Sequence, residues 1–261
     1  MQYRIAKDAE PQFTLLLIAT IVSVLLWVAS WYIPLVGYVV YPLRLFATFI
    51  HEGGHALATI LTGNSVQSLT VSPDGSGEVY SLGSGLLSGL LVSSAGYLGT
   101  TVFGAGLLAW IRYGFSSRIA LYVSAGFVAV MTVIFGFLAP VWNLFATSTV
   151  GGLFFTIISG VFLAAALAAI AKFASLKWAN FALAFVAVQC LLNAVFDLLN
   201  VFFISATTTM HSDAANMAAA TGIPGFVWVL VWMVVSIFMI SVGLRVYAVS
   251  KNRSSESVFE D

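Results

Sequence analysis

The chain has 261 residues; 61% are hydrophobic, 8% are charged, and the formal net charge is zero. A soluble domain of this size needs far more charge to coat its surface. No basic block is long enough to hold nucleic acid, so lipid is the expected solvent for most of the chain.

With about 20 apolar residues per crossing as the ruler, seven spans are predicted near 13–31, 37–61, 83–110, 119–139, 150–171, 179–204 and 224–248. The expected fold is an all-α polytopic membrane protein, a bundle of about seven transmembrane helices. A tail over 1–12 precedes a single transmembrane domain over 13–249, and 250–261 reads as a disordered tail. The first apolar run is too long for a signal-peptide core and lacks a small-residue cleavage pattern, so it reads as a retained span. Placing the N-terminus outside puts Arg44, Arg112, Arg118, Lys172, Lys177, Arg245, Lys251 and Arg253 on the cytoplasmic side, against Arg4 and Lys7 on the other. The positive-inside rule then favours N-out, C-in, in the cell membrane.

The second span carries the densest chemistry. Of ten acidic residues only Glu52 and Asp197 fall inside predicted spans, and two of the three histidines share a span with Glu52. An ionisable group at mid-bilayer costs at least about 2.5–3.5 kcal/mol on insertion scales, so it usually has a purpose. His51-Glu52-Gly53-Gly54-His55 is an H-E-x-x-H motif. Residues i and i+4 stack on one helix face, so both imidazoles can reach one metal. Glu52 is offset by about 100° around the helix, beside the metal, where a carboxylate can act as general base. Gly53 and Gly54 weaken a helix; they serve either close helix packing or room for a substrate backbone.

The connection after this span has strand character. Pro73-Asp74-Gly75 is a turn signal between two alternating runs over 66–80, which predicts a small hairpin. Exposed to lipid tails such a hairpin would leave backbone groups unpaired, so it belongs at the membrane surface or in a protein-lined cavity. Farther along, Cys190 is the lone cysteine and reads as packing. The sixth span holds Asn193, Asp197 and Asn200 on one face, a polar stripe on an apolar helix.

A catalytic zinc usually takes three protein ligands. Asp197 is the favoured third ligand, with Asn193 and Asn200 orienting it or binding substrate backbone. Asp213 is the rival, although Ser212 or Asp213 before an alanine-rich stretch also reads as a helix N-cap. His211 reads as an interfacial polar residue.

Phe49-Ile-His-Glu-Gly-Gly-His-Ala-Leu-Ala in an apolar helix resembles the site-2 protease family of intramembrane zinc metalloproteases, and most closely its compact, peptidase M50B-like branch. Ser72-Pro-Asp-Gly-Ser-Gly, Ser94-Ala-Gly-Tyr-Leu-Gly, the stretch from Asn193 to Asp197, and Ser212-Asp-Ala with Thr221-Gly-Ile-Pro extend the likeness from about residue 40 onward. The resemblance implies packed transmembrane helices around a zinc ion. Its ligands would be the two motif histidines plus a distant aspartate, here His51, His55 and Asp197, with Glu52 as base. Well-known members carry that aspartate in an Asn-Pro…Leu-Asp-Gly context, whereas Asp197 is followed by Leu-Leu.

The expected function is therefore cleavage of peptide bonds in or near transmembrane segments of membrane proteins. The cofactor is Zn²⁺, the partners are a transmembrane substrate and the bilayer, and neither nucleic acid nor a nucleotide cofactor is expected. Two alternatives stand beside it: a proteolytically inactive metal-binding scaffold, and an ion or solute transporter using the same rare polar groups.

Overall fold

The computed structural model describes residues 10–83, 85–143, 149–207 and 212–248. Arg4, Lys7, His211 and the C-terminal tail lie outside the described residues. Helix α1 (Glu10–Tyr32) is followed by α2 (Pro34–Leu61), a hairpin of β1 (Ser65–Val71) and β2 (Gly77–Leu82), and α3 (Leu86–Arg112). Next comes α4 (Ser117–Val130), which runs through a π-helical segment (Met131–Leu138) into α5 (Ala139–Trp142). Helices α6 (Val150–Phe173), α7 (Leu176–Thr207), α8 (Asp213–Thr221) and α9 (Gly225–Ala248) complete the bundle.

Among the described residues six helical segments are long and apolar enough to cross a membrane: Phe13–Tyr32, Leu86–Arg112, Ser117–Trp142, Val150–Phe173, Leu176–Thr207 and Gly225–Val246. The chain is a polytopic, all-α integral membrane protein. Helix α2 lies at the second predicted span and is 28 residues long, but it carries Arg44, His51, Glu52 and His55 along its length and is not among the six. Arg44 lies in the interior of α2 and not at a helix end, so it drops out of the charge comparison. The Arg118 guanidinium donates to the Ala174 carbonyl at 2.9 Å, which brings the α3–α4 and α6–α7 connections to one end of the bundle with their cations.

Helix α3 is the hub, packing against α2, α7, α8 and α9. Glycines let these helices approach closely. A Cβ on Gly104 would lie 2.8 Å from Leu191 of α7, and one on Gly243 would lie 3.2 Å from Ala105. The main core joins α1, α2, α3, α4, α6 and α7 around Phe49, Leu108, Leu121, Val128 and Leu183. A second, smaller core gathers Tyr97, Leu198, Ala214, Met217, Val229 and Trp232, and docks the short α8 onto α3, α7 and α9.

The hairpin forms where its turn residues predict it. Strands pair antiparallel from Ser65↔Leu82 to Val71↔Gly77, with a bulge between Val66 and Ser68. Gly75 takes φ +87°, and its N–H donates to the Ser72 carbonyl at 2.9 Å. Asp74 accepts from the Ser76 N–H at 2.9 Å and hydroxyl at 2.7 Å, which holds its carboxyl below the usual carboxylate range. Tyr41 and Thr48 of α2 donate to the Pro73 and Gly75 carbonyls at 2.6 and 2.8 Å, pinning the turn to the motif helix.

Backbone groups buried among helices need partners. On β1 they come from side chains. The Thr156 hydroxyl of α6 accepts from the Val71 N–H at 2.8 Å while donating to its own helix at Gly152. The Asn143 amide donates to the Gln67 carbonyl at 3.2 Å, serving the residue at the bulge. The hairpin is thus built into the bundle along β1. The other edge of β2 carries no third strand among the described residues.

Candidate metal centre

His51 and His55 sit one helical turn apart on α2, and their rings converge. Their Nε2 atoms are 3.0 Å apart. Asp213, the first residue of α8, meets them there: its Oδ2 lies 3.3 Å from His55 Nε2 and 3.5 Å from His51 Nε2. Two nitrogens bound to one tetrahedral zinc at about 2.0–2.1 Å stand about 3.3 Å apart. The three donor spacings match that figure.

The chemistry of the donor set fits as well. His55 Nδ1 faces the Val92 carbonyl at 2.7 Å, so that nitrogen carries the proton. Nε2 is then the ring atom turned into the cluster, the one a ligating imidazole would use. Burial alone would raise the Asp213 carboxyl, but the facing His55 and His51 imidazoles outweigh it and hold the group below the usual carboxylate range. His51, His55 and Asp213 can therefore hold a divalent cation.

One turn of α3 is shaped around this cluster. Its Val92 carbonyl orients His55. A Cβ on Gly54 would overlap the Ala95 carbonyl and stand 3.4 Å from Gly96 Cα, so α2 and α3 lie almost in backbone contact. A Cβ on Gly96 would overlap both imidazole Nε2 atoms; only glycine leaves that space clear. Tyr97 presents its ring edge-on to His51, with centroids 4.6 Å apart and planes at 83°.

Glu52 is buried at 5% exposure, yet it lines the same cavity of about 430 Å³ as the three donors. Strand β2 crosses over it: a Cβ on Gly77 would stand 2.6 Å from Glu52 Oε1. Carboxylate, imidazoles and a strand edge thus face one space.

The remaining sequence candidates distribute differently. Asp197 lines the cavity, but Asp213 is the carboxylate that meets the imidazoles. The physical reason is the second core, which swings α8 against α3 and brings its N-terminus over the motif helix. The capping signal at Ser212 is also real, since its hydroxyl accepts from the Ala215 N–H at 3.2 Å. Ser212 caps the helix and Asp213 reaches the cluster from its first position. Asn193 and Asn200 line the cavity, with Asn193 donating back to the Gln189 carbonyl at 2.9 Å. Gly53 and Gly54 do not line it. Gly53 lies under the Phe127 ring and Gly54 against α3, so both serve packing. Gly96, Tyr97, Gly77 and Arg44 do not stand out as site residues in the sequence. The first two lie inside the Ser94–Gly99 stretch, whose composition alone carries no ligand signal.

The Peptidase M50B-like family model matches residues 15–243. No curated protein and no solved structure matches the chain.

Proposed function

The chain belongs to the Peptidase M50B-like family, and from that premise we propose that it is an intramembrane zinc endopeptidase whose ion is held by His51, His55 and Asp213. One observation carries the reading: two imidazole nitrogens and a carboxylate oxygen converge within 3.0–3.5 Å, beside a buried carboxylate and an open strand edge. A purely structural metal site has no need of Glu52.

A bound zinc ion would supply Lewis acidity, polarising a carbonyl and acidifying water. The chain's own residues do the rest. Glu52 takes a proton from the attacking water as its oxygen bonds to the scissile carbonyl carbon. It returns that proton to the amide nitrogen as the C–N bond breaks, leaving a carboxyl and an amine. Helical amides are internally bonded and shielded, so a transmembrane substrate must unwind first. The free edge of β2 offers backbone groups to an extended peptide, and Gly77 lets that peptide approach Glu52 without a side chain between them. Asn193, Asp197 and Asn200 furnish polar contacts on the facing wall. With Arg44 set aside as mid-helix, the cations at helix ends, Arg112, Arg118, Lys172, Lys177 and Arg245, still favour N-out, C-in.

The test is cleavage of a synthetic transmembrane peptide by purified protein. Glu52→Gln should abolish cleavage while the zinc content stays at the wild-type level. Cleavage persisting in Glu52→Gln refutes the mechanism.

A further inference from the structure

Asp213 is unlike the other two donors. The histidines belong to a long helix packed into the main core, whereas Asp213 opens a nine-residue helix in a connection. Something must hold its carboxylate in register with rings carried by a different element.

Tyr97 is placed to do this. It is buried at 5% exposure and belongs to the second core that docks α8. Its ring stacks on Trp232 of α9, with centroids 5.2 Å apart and planes at 27°. Trp232 is itself fixed, its indole N–H donating to the Ser94 hydroxyl at 2.9 Å, one turn before Tyr97. The other side of the Tyr97 ring meets His51 edge-on. Tyr97 lines the same cavity as Asp213. Tyr97 therefore meets a donor from α2, shares a core with the neighbours of Asp213 on α8, and is backed by α9.

We propose that Tyr97 is a positioning residue, its hydroxyl donating to Asp213 and setting that carboxylate against the two imidazoles, so that docking of α8 and assembly of the metal site are one event. A carboxylate has lone pairs beyond those a metal uses, and a donor to the spare pair fixes its rotation. The ring would persist in phenylalanine, so the hydroxyl alone carries the assignment. This inference rests on the reading that His51, His55 and Asp213 hold zinc.

The experiment is zinc affinity, measured by competition with a chromophoric chelator on full-length protein in detergent. Wild type, Tyr97→Phe, Asp213→Asn and the double variant are compared, along with metal-free thermal midpoints. Tyr97→Phe should weaken zinc binding by roughly 10- to 100-fold. Its metal-free midpoint should stay at the wild-type value. In the Asp213→Asn background the same substitution should cost nothing further, because the group it positions is gone. Unchanged affinity in Tyr97→Phe, an equal loss in the Asp213→Asn background, or a matching fall in the metal-free midpoint each overturns the role of Tyr97 alone. Wild-type protein that binds no zinc overturns the metal reading and this inference together.

Discussion

Gly96→Ala is the sharpest perturbation the fold offers. The new methyl carbon would fall 2.6 Å from His51 Cδ2 and closer still to both ring nitrogens. Ordinary van der Waals contact begins near 3.4 Å, so the imidazoles or α3 must yield by about 1 Å. Catalytic constellations tolerate about 0.5 Å, and a displacement of about 1 Å costs on the order of 100-fold in rate. Zinc affinity should fall by roughly 10- to 100-fold and peptide cleavage by about 100-fold or more. The backbone has no reason to suffer, since alanine is the better helix former by about 1 kcal/mol. Gly89 and Gly106 on the same helix have open space for 4 Å around the point where a methyl would stand, which makes Gly89→Ala and Gly106→Ala matched controls. The assay is chelator competition together with cleavage of a synthetic transmembrane peptide. Wild-type zinc binding by Gly96→Ala, or an equal loss in either control, would refute the steric explanation.

Other substitutions probe separate parts of the molecule. Thr156→Val keeps the shape but strips the partner from the buried Val71 N–H, so the thermal midpoint should drop in line with a loss of about 1–3 kcal/mol; an unchanged midpoint would mean that N–H is served elsewhere. Ser212→Ala removes the cap on the Ala215 N–H and should loosen α8 by about 1 kcal/mol. Its zinc affinity should fall modestly, and an affinity equal to wild type would separate the cap from the metal site. Gly77→Val places a branched side chain against Glu52 and on the open strand edge. It should lower cleavage while leaving zinc content intact, and retained cleavage would argue against β2 as the substrate's guide.

Much of the fold is legible in the sequence because the bilayer restricts the options. Apolar runs of spanning length mark helices, and the six spanning helices fall on predicted spans, while the short α8 lies between two of them. The hairpin is legible from Pro73-Asp74-Gly75, since turn chemistry is local and Gly75 adopts the positive φ that such turns require. The pairing of His51 with His55 is legible because helical spacing alone brings them together.

What cannot be read locally is which carboxylate meets the imidazoles. Asp197 stands out by its cost within an apolar helix, and it does face the cavity. Asp213 looks like part of a capping motif, and its neighbour Ser212 does cap α8. The two roles are compatible, because a residue at the first turn of a docked helix can also point outward at a neighbouring element. Where α8 docks depends on Ala214, Met217, Val229 and Trp232 meeting across distant helices. Such packing has no signature in a short window of sequence. Gly96 escapes notice for the same reason: its importance is the space above it, occupied by side chains from a different helix.

Metal stoichiometry decides whether His51, His55 and Asp213 hold a zinc ion. Purified wild type should carry about one zinc ion per chain. Asp213→Ala should lose it, and Asp197→Ala should keep it. Wild-type protein that holds no zinc when supplied with it, or a zinc ion retained in Asp213→Ala and lost in Asp197→Ala, would rule out this metal site.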